Sequence, residues 1–320
     1  MDTLQKYLRA FKNLHVDRSH GIAPHKPILL LSVLQAFQNN QIPDQRIYIT
    51  PELVALFKTN WNLLVTTNHD CRISYPFYYL KSDKFWQLIP KSGFENIDQM
   101  SSIMKSFSNL NAAIDHAVID FDLLLLMKEK TNNSILQQYL LELYFPASKG
   151  NFSNSSWGQQ KLFDEIEGKI LEESAVEYGF EIKKLIQQHN EEEIFLRGSL
   201  FKREIPKIYN NTCSISGMKI DAISYVSMVD ACHIVPFSKS YDDTVTNGIA
   251  LCPNLHRAFD RGLVCIDENY IVVVSKIFTE TSSNYSIREF EGREIRLPLN
   301  QKYYPSTENF KKHKASIFKS

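Results

Sequence analysis

Apolar positions recur at helical spacing through most of the first half of the chain. Segments 4–14 and 27–38 place them three and four residues apart, which predicts amphipathic helices. A third helix is expected after Thr50, because Thr-Pro-Glu supplies a capping hydroxyl, a first-turn proline and a first-turn acid in order. The same periodicity predicts helices over 100–110, 120–129 and 133–143, and one or two helices over 160–187.

Strand patterns are fewer and shorter. Two aromatic-rich runs, 75–80 and 84–88, predict a pair of strands around Lys81-Ser82-Asp83. In the second half, residues 225–233 predict a strand that ends in a histidine. A short apolar strand over 249–251 and a helix from about residue 253 follow it. The predicted fold class is therefore α+β.

The chain of 320 residues is longer than chains that usually fold around a single hydrophobic core, which suggests two domains. The polar stretch 148–157 fits neither a helical stripe nor an alternating strand and predicts a seam. We expect a mixed N-terminal domain over 1–150, a linker with connecting helices over 151–197, and a C-terminal domain over 198–320.

Charge and cysteine content exclude several classes of protein. The net charge is zero, which excludes a uniformly basic DNA-coating protein, yet residues 1–150 carry +2, 151–200 carry −5 and 201–320 carry +3. No apolar run approaches the ~20 residues of a membrane span, so we expect no membrane association. Five cysteines without a Cys-x-x-Cys pair argue against a disulfide framework or a four-cysteine zinc site. We therefore expect a reducing, cytoplasmic location.

The residues with the clearest chemistry lie between 229 and 262. His233, Asn247 and His256 are separated by 14 and 9 residues. A strand, loop, strand and helix of this length fold back, so that the histidine of the strand and that of the first helical turn face one another. His256 and Asp260 are four residues apart and share a helix face, which is metal-ligand spacing.

This segment resembles the HNH nucleases, whose ββα-metal fold hydrolyses phosphodiesters. The resemblance covers about residues 198–285. It is carried by a Cys-x-Ile-Ser-Gly turn, His-Ile-Val-Pro, Asn-Gly-Ile-x-Leu-Cys and His-Arg-x-Phe-Asp-Arg-Gly, which start at Cys213, His233, Asn247 and His256. It implies a C-terminal ββα-metal nuclease domain with His233 as general base, because an imidazole titrates near neutral pH. His256 would then hold one divalent cation, Mg²⁺ or Mn²⁺, that stabilises charge on the phosphate and the leaving oxygen. Asn247 would orient the loop or the base, or give the metal an oxygen.

One position departs from the HNH pattern. Many of these enzymes carry an acid or a histidine immediately before the base, as a metal ligand, and here that residue is Cys232, a poor partner for Mg²⁺. Asp230 shares a strand face with Cys232 and is one substitute, while Asp260 is another. The third alternative is a softer ion such as Mn²⁺, Ni²⁺ or Zn²⁺.

The first 150 residues resemble the sulfur-binding domain of restriction enzymes that recognise phosphorothioated DNA. The resemblance is carried by Gly-x-Ala-Pro-His-Lys-Pro (21–27), Tyr-Pro-Phe-x-x-Leu (75–80) with Phe-Trp-x-Leu (85–88), and Tyr-Phe-Pro (144–146). It implies a sulfur-binding pocket, which in the family also contains an arginine, and separate residues that contact the DNA phosphates. The candidates are Tyr144, Phe145, Pro146 and Ala147 for the wall, Arg72 for the arginine, and His25 and Lys26 for phosphate contacts.

Together these features predict a modification-dependent restriction endonuclease that binds phosphorothioated double-stranded DNA and cuts nearby. One alternative is an HNH endonuclease that reads a modified base such as methylcytosine. Another is a DNA-binding protein with an inactive HNH core. A double-strand cut usually needs two active centres, so we expect a homodimer formed through residues 160–187.

Overall fold

The computed structural model describes residues 2–18, 21–96, 103–220, 227–281, 283 and 285–320. It divides into two compact units, Met1–Asp164 and Glu165–Ser320, and the division falls inside a helix. Both units combine helices with small antiparallel sheets, which confirms the α+β class. No helix in the described part of the chain has the length and apolar character needed to cross a bilayer.

The first unit is mainly helical around one small sheet. Its helices and strands are, in chain order, α1 (Thr3–Lys12), α2 (His25–Gln38), β1 (Arg46–Ile47), α3 (Pro51–Leu64), α4 (Ser74–Tyr79), β2 (Trp86–Pro90), α5 (Phe107–Ala113), β3 (Ile114–Ile119), α6 (Phe121–Lys128), α7 (Lys130–Tyr144) and α8 (Ser155–Glu172), which continues into the second unit. The sheet order is β1-β3-β2, and both pairs are antiparallel.

Helix α2 is the centre of this unit. All residues from Lys26 to Phe37 are buried, and α3 and α7 pack against the helix. Helix α3 begins as predicted, since the Thr50 hydroxyl accepts a hydrogen bond from the Leu53 backbone N–H at 3.2 Å. The seam predicted over 148–157 contains a 3-10 turn (Lys149–Asn154) and the start of α8, where buried Ser155 donates to the Asn60 amide oxygen at 2.6 Å.

The prediction of a strand over 75–80 is wrong. This segment forms α4, which continues into a 3-10 turn (Leu80–Asp83). Consecutive Phe77 and Tyr78 are both fully buried, whereas a strand would point them to opposite faces. Strand β2 pairs with β3, a strand that was not predicted from the sequence, rather than with residues 75–80. Of the helix predicted over 100–110, residues 100–102 lie outside the described residues, and a 3-10 turn (Ile103–Lys105) precedes α5.

The second unit places two long helices before a compact hairpin-and-helix motif. Its helices and strands are α9 (Ala175–Gln187), α10 (Glu191–Ile208), β4 (Asp230–His233), α11 (Phe237–Ser240), β5 (Gly248–Leu251), α12 (Pro253–Asp260), β6 (Val264–Ile266), β7 (Val272–Val274) and α13 (Thr307–Ser316). β4 pairs with β5 and β6 with β7, both antiparallel. The strand predicted over 225–233 begins at Asp230, and residues 225 and 226 lie outside the described part.

Helix α10 packs closely on the β4–β5 hairpin because Gly248 has no side chain. A Cβ built at Gly248 would lie 2.3 Å from Ile205 Cδ1 and 2.9 Å from Phe201 Cε2.

At the other end of the motif, α13 packs against the end of α12. The His313 ring stacks on Phe259 at 3.7 Å, and its Nε2 donates to the Phe259 carbonyl at 3.0 Å.

Burial of His313 makes the second unit sensitive to acid. Burial lowers the pKa of His313 to about 4, so between about pH 6.5 and 4 the unfolded chain binds a proton that the folded unit does not. This difference in proton binding favours folding above about pH 6.5, and the free energy of unfolding falls by on the order of 3 kcal/mol as the pH drops to about 4. We expect His313→Gln, which keeps a donor, to flatten the fall in melting temperature from pH 7 to 4.5. The exposed His189→Asn is the control, and an equal flattening there would contradict the assignment.

Candidate active site

The β4–β5 hairpin and helix α12 assemble the residues predicted for catalysis. The strands pair with Asp230 opposite Leu251 and His233 opposite Gly248, and Pro253 starts α12 directly after β5. Side chains alternate along β4, so Asp230 and Cys232 share one face. These two contact residues of α12, whereas His233 stacks on Phe201 of α10.

On the α12 face, a thiol, an imidazole and a carboxylate converge. One ligand atom each from Cys232, His256 and Asp260 lies within 4.8 Å of the other two. The His256 Nε2 is 3.4 Å from an Asp260 oxygen, which agrees with the predicted i, i+4 relation. These donors fit a divalent transition ion, because imidazole and thiolate are ligands of borderline and soft metals. Bound there, the ion would supply positive charge for the phosphate oxygens and the leaving oxygen.

Asp230 contacts the other nitrogen of His256. Its Oδ2 lies 3.4 Å from Nδ1, while Nε2 faces Asp260. A carboxylate at this nitrogen orients a metal-binding imidazole with the opposite nitrogen free for the ion. The geometry therefore favours an orienting role for Asp230, in addition to the ligand role that was predicted from the sequence.

The thiol of Cys232 is fully buried. Burial first, and then the neighbouring Asp260 carboxylate, raises the pKa of Cys232 well above its usual value. A coordinated cation reverses this effect, since a metal-bound thiol is deprotonated. In the sequence, Cys232 stands where the HNH pattern has a metal ligand, and it was predicted to be a gap in the ligand set. The structure instead places its sulfur beside the two predicted ligands on α12, His256 and Asp260.

His233 lies on the opposite face of β4 from Asp230 and Cys232, against α10, and so does not face His256 as the sequence predicted. Its ring is parallel to that of Phe201 at 4.0 Å, and 22% of the side chain is exposed. Its Nε2 is 2.8 Å from Oδ1 of Asp243, which is buried. Asp243 was not predicted from the sequence. Its only signal was an Asp-Asp pair between the histidine and the asparagine of the motif.

Asn247 is fully buried and braces the loop between β4 and β5. Its amide oxygen accepts from the Val235 N–H at 2.9 Å and from Asn309 at 3.2 Å. Its amide nitrogen donates to the carbonyls of Val235 and Asp242 at 3.0 and 2.9 Å. These contacts favour the predicted loop-orienting role over the alternative in which the amide oxygen binds metal.

In the first unit, two separate parts of the predicted DNA-binding motifs line one small cavity. The cavity measures about 110 Å³. Its lining mixes apolar and hydroxyl-bearing residues: Ile22, Pro24, Leu64, Val65, Thr66, Thr67, the four residues from Tyr144 to Ala147, and Ser148. Burial raises the pKa of Tyr144 to about 12, and its hydroxyl donates to the Phe11 carbonyl at 2.7 Å. The predicted wall residues are thus held together beside the proline that precedes α2.

The other predicted DNA contacts lie elsewhere in this unit. His25 and Lys26 line a neighbouring cavity of about 480 Å³. Burial lowers the pKa of His25 to about 4, and Lys26 is buried with its Nζ 2.5 Å from an Asp83 oxygen. Arg72 lines neither cavity, and its Nε lies 3.8 Å from Asp70. A phosphate contact by Lys26 would have to compete with its ion pair, and Arg72 is not brought to the small cavity.

Comparisons with known proteins identify part of the chain. Residues 213–267 match the family described as HNH endonuclease. A solved structure described as "Modification dependent TagI restriction endonuclease" is 18% identical over 37% of this chain and 38% of that chain, with a TM-score of 0.29. The chain thus spans little more than a third of that protein. A search of curated proteins found no match. The second unit of this chain therefore contains an HNH endonuclease domain.

Proposed function

We propose that this protein is a modification-dependent restriction endonuclease. Its first unit would bind double-stranded DNA at a phosphorothioate, and its HNH domain would hydrolyse a nearby phosphodiester with one divalent ion. The observation that carries the specificity is the small cavity, where Pro24 meets the segment from Tyr144 to Ala147 across 120 residues of sequence.

We propose that sulfur binds against the apolar part of this lining, Pro24, Leu64 and Val65, and not against the hydroxyl residues Thr66, Thr67 and Ser148. A non-bridging sulfur is large and polarizable and accepts hydrogen bonds poorly, so its transfer from water into the cavity costs little free energy of desolvation. A phosphate oxygen would lose strong hydrogen bonds against proline, leucine and valine side chains.

The test compares cleavage of two matched plasmids, one phosphorothioated in vivo and one not, with Mg²⁺ and Mn²⁺ in parallel. We expect cutting of the modified plasmid alone. We also expect at least about tenfold tighter binding of a phosphorothioate duplex than of its phosphate counterpart. Ala147→Asp places a carboxylate at the cavity and should abolish this preference. Gly150→Asp adds the same charge where a new side chain meets open space, and should keep it.

Other outcomes would redirect the proposal. Equal cutting of both plasmids would contradict the proposed specificity for phosphorothioate and leave an HNH endonuclease. The second candidate, an enzyme that reads a modified base, would then stand on the 480 Å³ cavity, which is large enough for an extrahelical base and is lined by His25 and Tyr75. Tight binding of modified DNA without cutting would indicate a reader with an inactive core.

We also propose a homodimer through residues 160–187, which would bring two active centres to one site. In support, α9 exposes Val176 and Phe180, one helical turn apart, with 82% and 74% of their surfaces accessible. Light scattering should report twice the chain mass for the wild type and a single chain for Phe180→Glu. A wild-type monomer, both free and DNA-bound, would remove this part of the proposal.

A further inference from the structure

A buried carboxylate contacts the histidine expected to act as general base. Asp243 follows α11 in the loop that returns to β5, and its side chain is 2% exposed. Its Oδ1 lies 2.8 Å from Nε2 of His233. An ionised carboxylate only accepts hydrogen bonds, so Nε2 must be the donor.

This contact determines which nitrogen of His233 takes a proton. A neutral imidazole carries hydrogen on one nitrogen only. With Nε2–H donating to Asp243, Nδ1 keeps its lone pair, and it makes no hydrogen bond to any residue that the structure describes. The ring cannot swing freely, because it lies flat on Phe201 with 12° between the planes.

The carboxylate is itself held from behind. The hydroxyl of Tyr178 is 3.4 Å from Oδ2 of Asp243, and burial raises the pKa of Tyr178, so the phenol remains a donor. The guanidinium of Arg197 lies 5.2 Å from the centre of the Tyr178 ring and pairs with Glu181 and Glu193. Helices α9 and α10 thus both support the orientation of Asp243.

We propose that Asp243 is a positioning residue that holds His233 in its Nε2–H tautomer, with Nδ1 as the proton acceptor. This inference rests on the proposed nuclease function. Water gives a proton to Nδ1 as its oxygen bonds to phosphorus, and the bond from phosphorus to the leaving oxygen breaks. The leaving oxygen takes a proton from solvent, and the imidazolium, stabilised by Asp243, releases its own proton to solvent.

The test combines ¹⁵N NMR of histidine-labelled full-length protein with cleavage kinetics. We expect the free wild-type protein to show His233 as the Nε2–H tautomer. In Asp243→Asn the amide can offer either its oxygen or its NH₂, so the Nδ1–H form should gain population. The kcat for cleavage should then fall at least about tenfold, with the Kd for DNA changed less than about twofold.

Asp242→Asn is the matched control. Asp242 is buried nearly as deeply, at 4%, but its carboxylate accepts from the Thr244 backbone N–H at 2.8 Å instead of from the histidine. It should leave the tautomer unchanged even where it lowers the melting temperature. Tyr178→Phe should reproduce a smaller part of the Asp243 effect.

An unchanged tautomer in Asp243→Asn would overturn the inference at any rate of cleavage, and so would a changed tautomer with an unaltered kcat. Because the spectra are recorded without DNA, they test Asp243 even where the protein cuts no substrate. Absence of cleavage by the wild type with both metals would count against the proposed function alone.

Discussion

Cleavage by the His233→Ala variant is expected to fall about 10²–10⁴-fold, the usual contribution of a general base, with DNA affinity changed less than about twofold. The ring stacks on Phe201 and pairs with Asp243, and His233 does not belong to the Cys232–His256–Asp260 group. Its removal should therefore leave that group intact. Single-turnover cleavage of end-labelled duplex and fluorescence anisotropy of the same duplex measure the two quantities.

The control for this variant is His189→Asn, which removes an exposed histidine of the same unit from the turn after α9. It should cleave at the wild-type rate. Retention of more than a tenth of the wild-type rate in His233→Ala would exclude His233 as the base. Equal loss of cleavage and of binding would indicate that the histidine supports the fold of the hairpin.

Local chemistry made parts of the fold predictable. Thr50 and Pro51 set the start of α3, and the His233–Asn247–His256 spacing indicated the hairpin and α12, because each signal lies within a few residues of what it determines. The α4 segment failed for the opposite reason. Its aromatic residues favour a strand locally, but burial of consecutive Phe77 and Tyr78 selects a helix.

The same distinction applies to the candidate sites. The spacing of His256 and Asp260 indicated their shared helix face, but the sulfur of Cys232 joins them only when β4 packs on α12. Asp243 reaches His233 through a loop whose path no pattern of apolar residues defines. Likewise Arg72 was chosen for its proximity in sequence to a motif, but the fold places it on neither of the two cavities.

Cys232 replaces the acid or histidine that many HNH nucleases have before the base, and this replacement should have its largest effect on which metal ion supports cleavage. A Cys-His-Asp donor set favours borderline ions over Mg²⁺, which prefers oxygen and gains little from a sulfur ligand. We therefore expect wild-type cleavage to be faster with Mn²⁺ than with Mg²⁺. Cys232→Asp replaces sulfur with oxygen and should raise the ratio of Mg²⁺- to Mn²⁺-supported rates at least about tenfold.

Binding of cobalt tests the ligand directly, without any DNA. Wild-type protein with Co²⁺ should show the sulfur-to-cobalt charge-transfer absorption of a thiolate ligand, and Cys232→Asp should lack it. Cys265→Ser, which changes a buried cysteine of β6, should keep the band. In Cys232→Asp two carboxylates face each other beside His256, so metal should raise its melting temperature more than that of the wild type. A charge-transfer band that survives Cys232→Asp would show that the sulfur is no ligand. The metal would then be held by His256 and carboxylates alone, and the cysteine would be a packing residue.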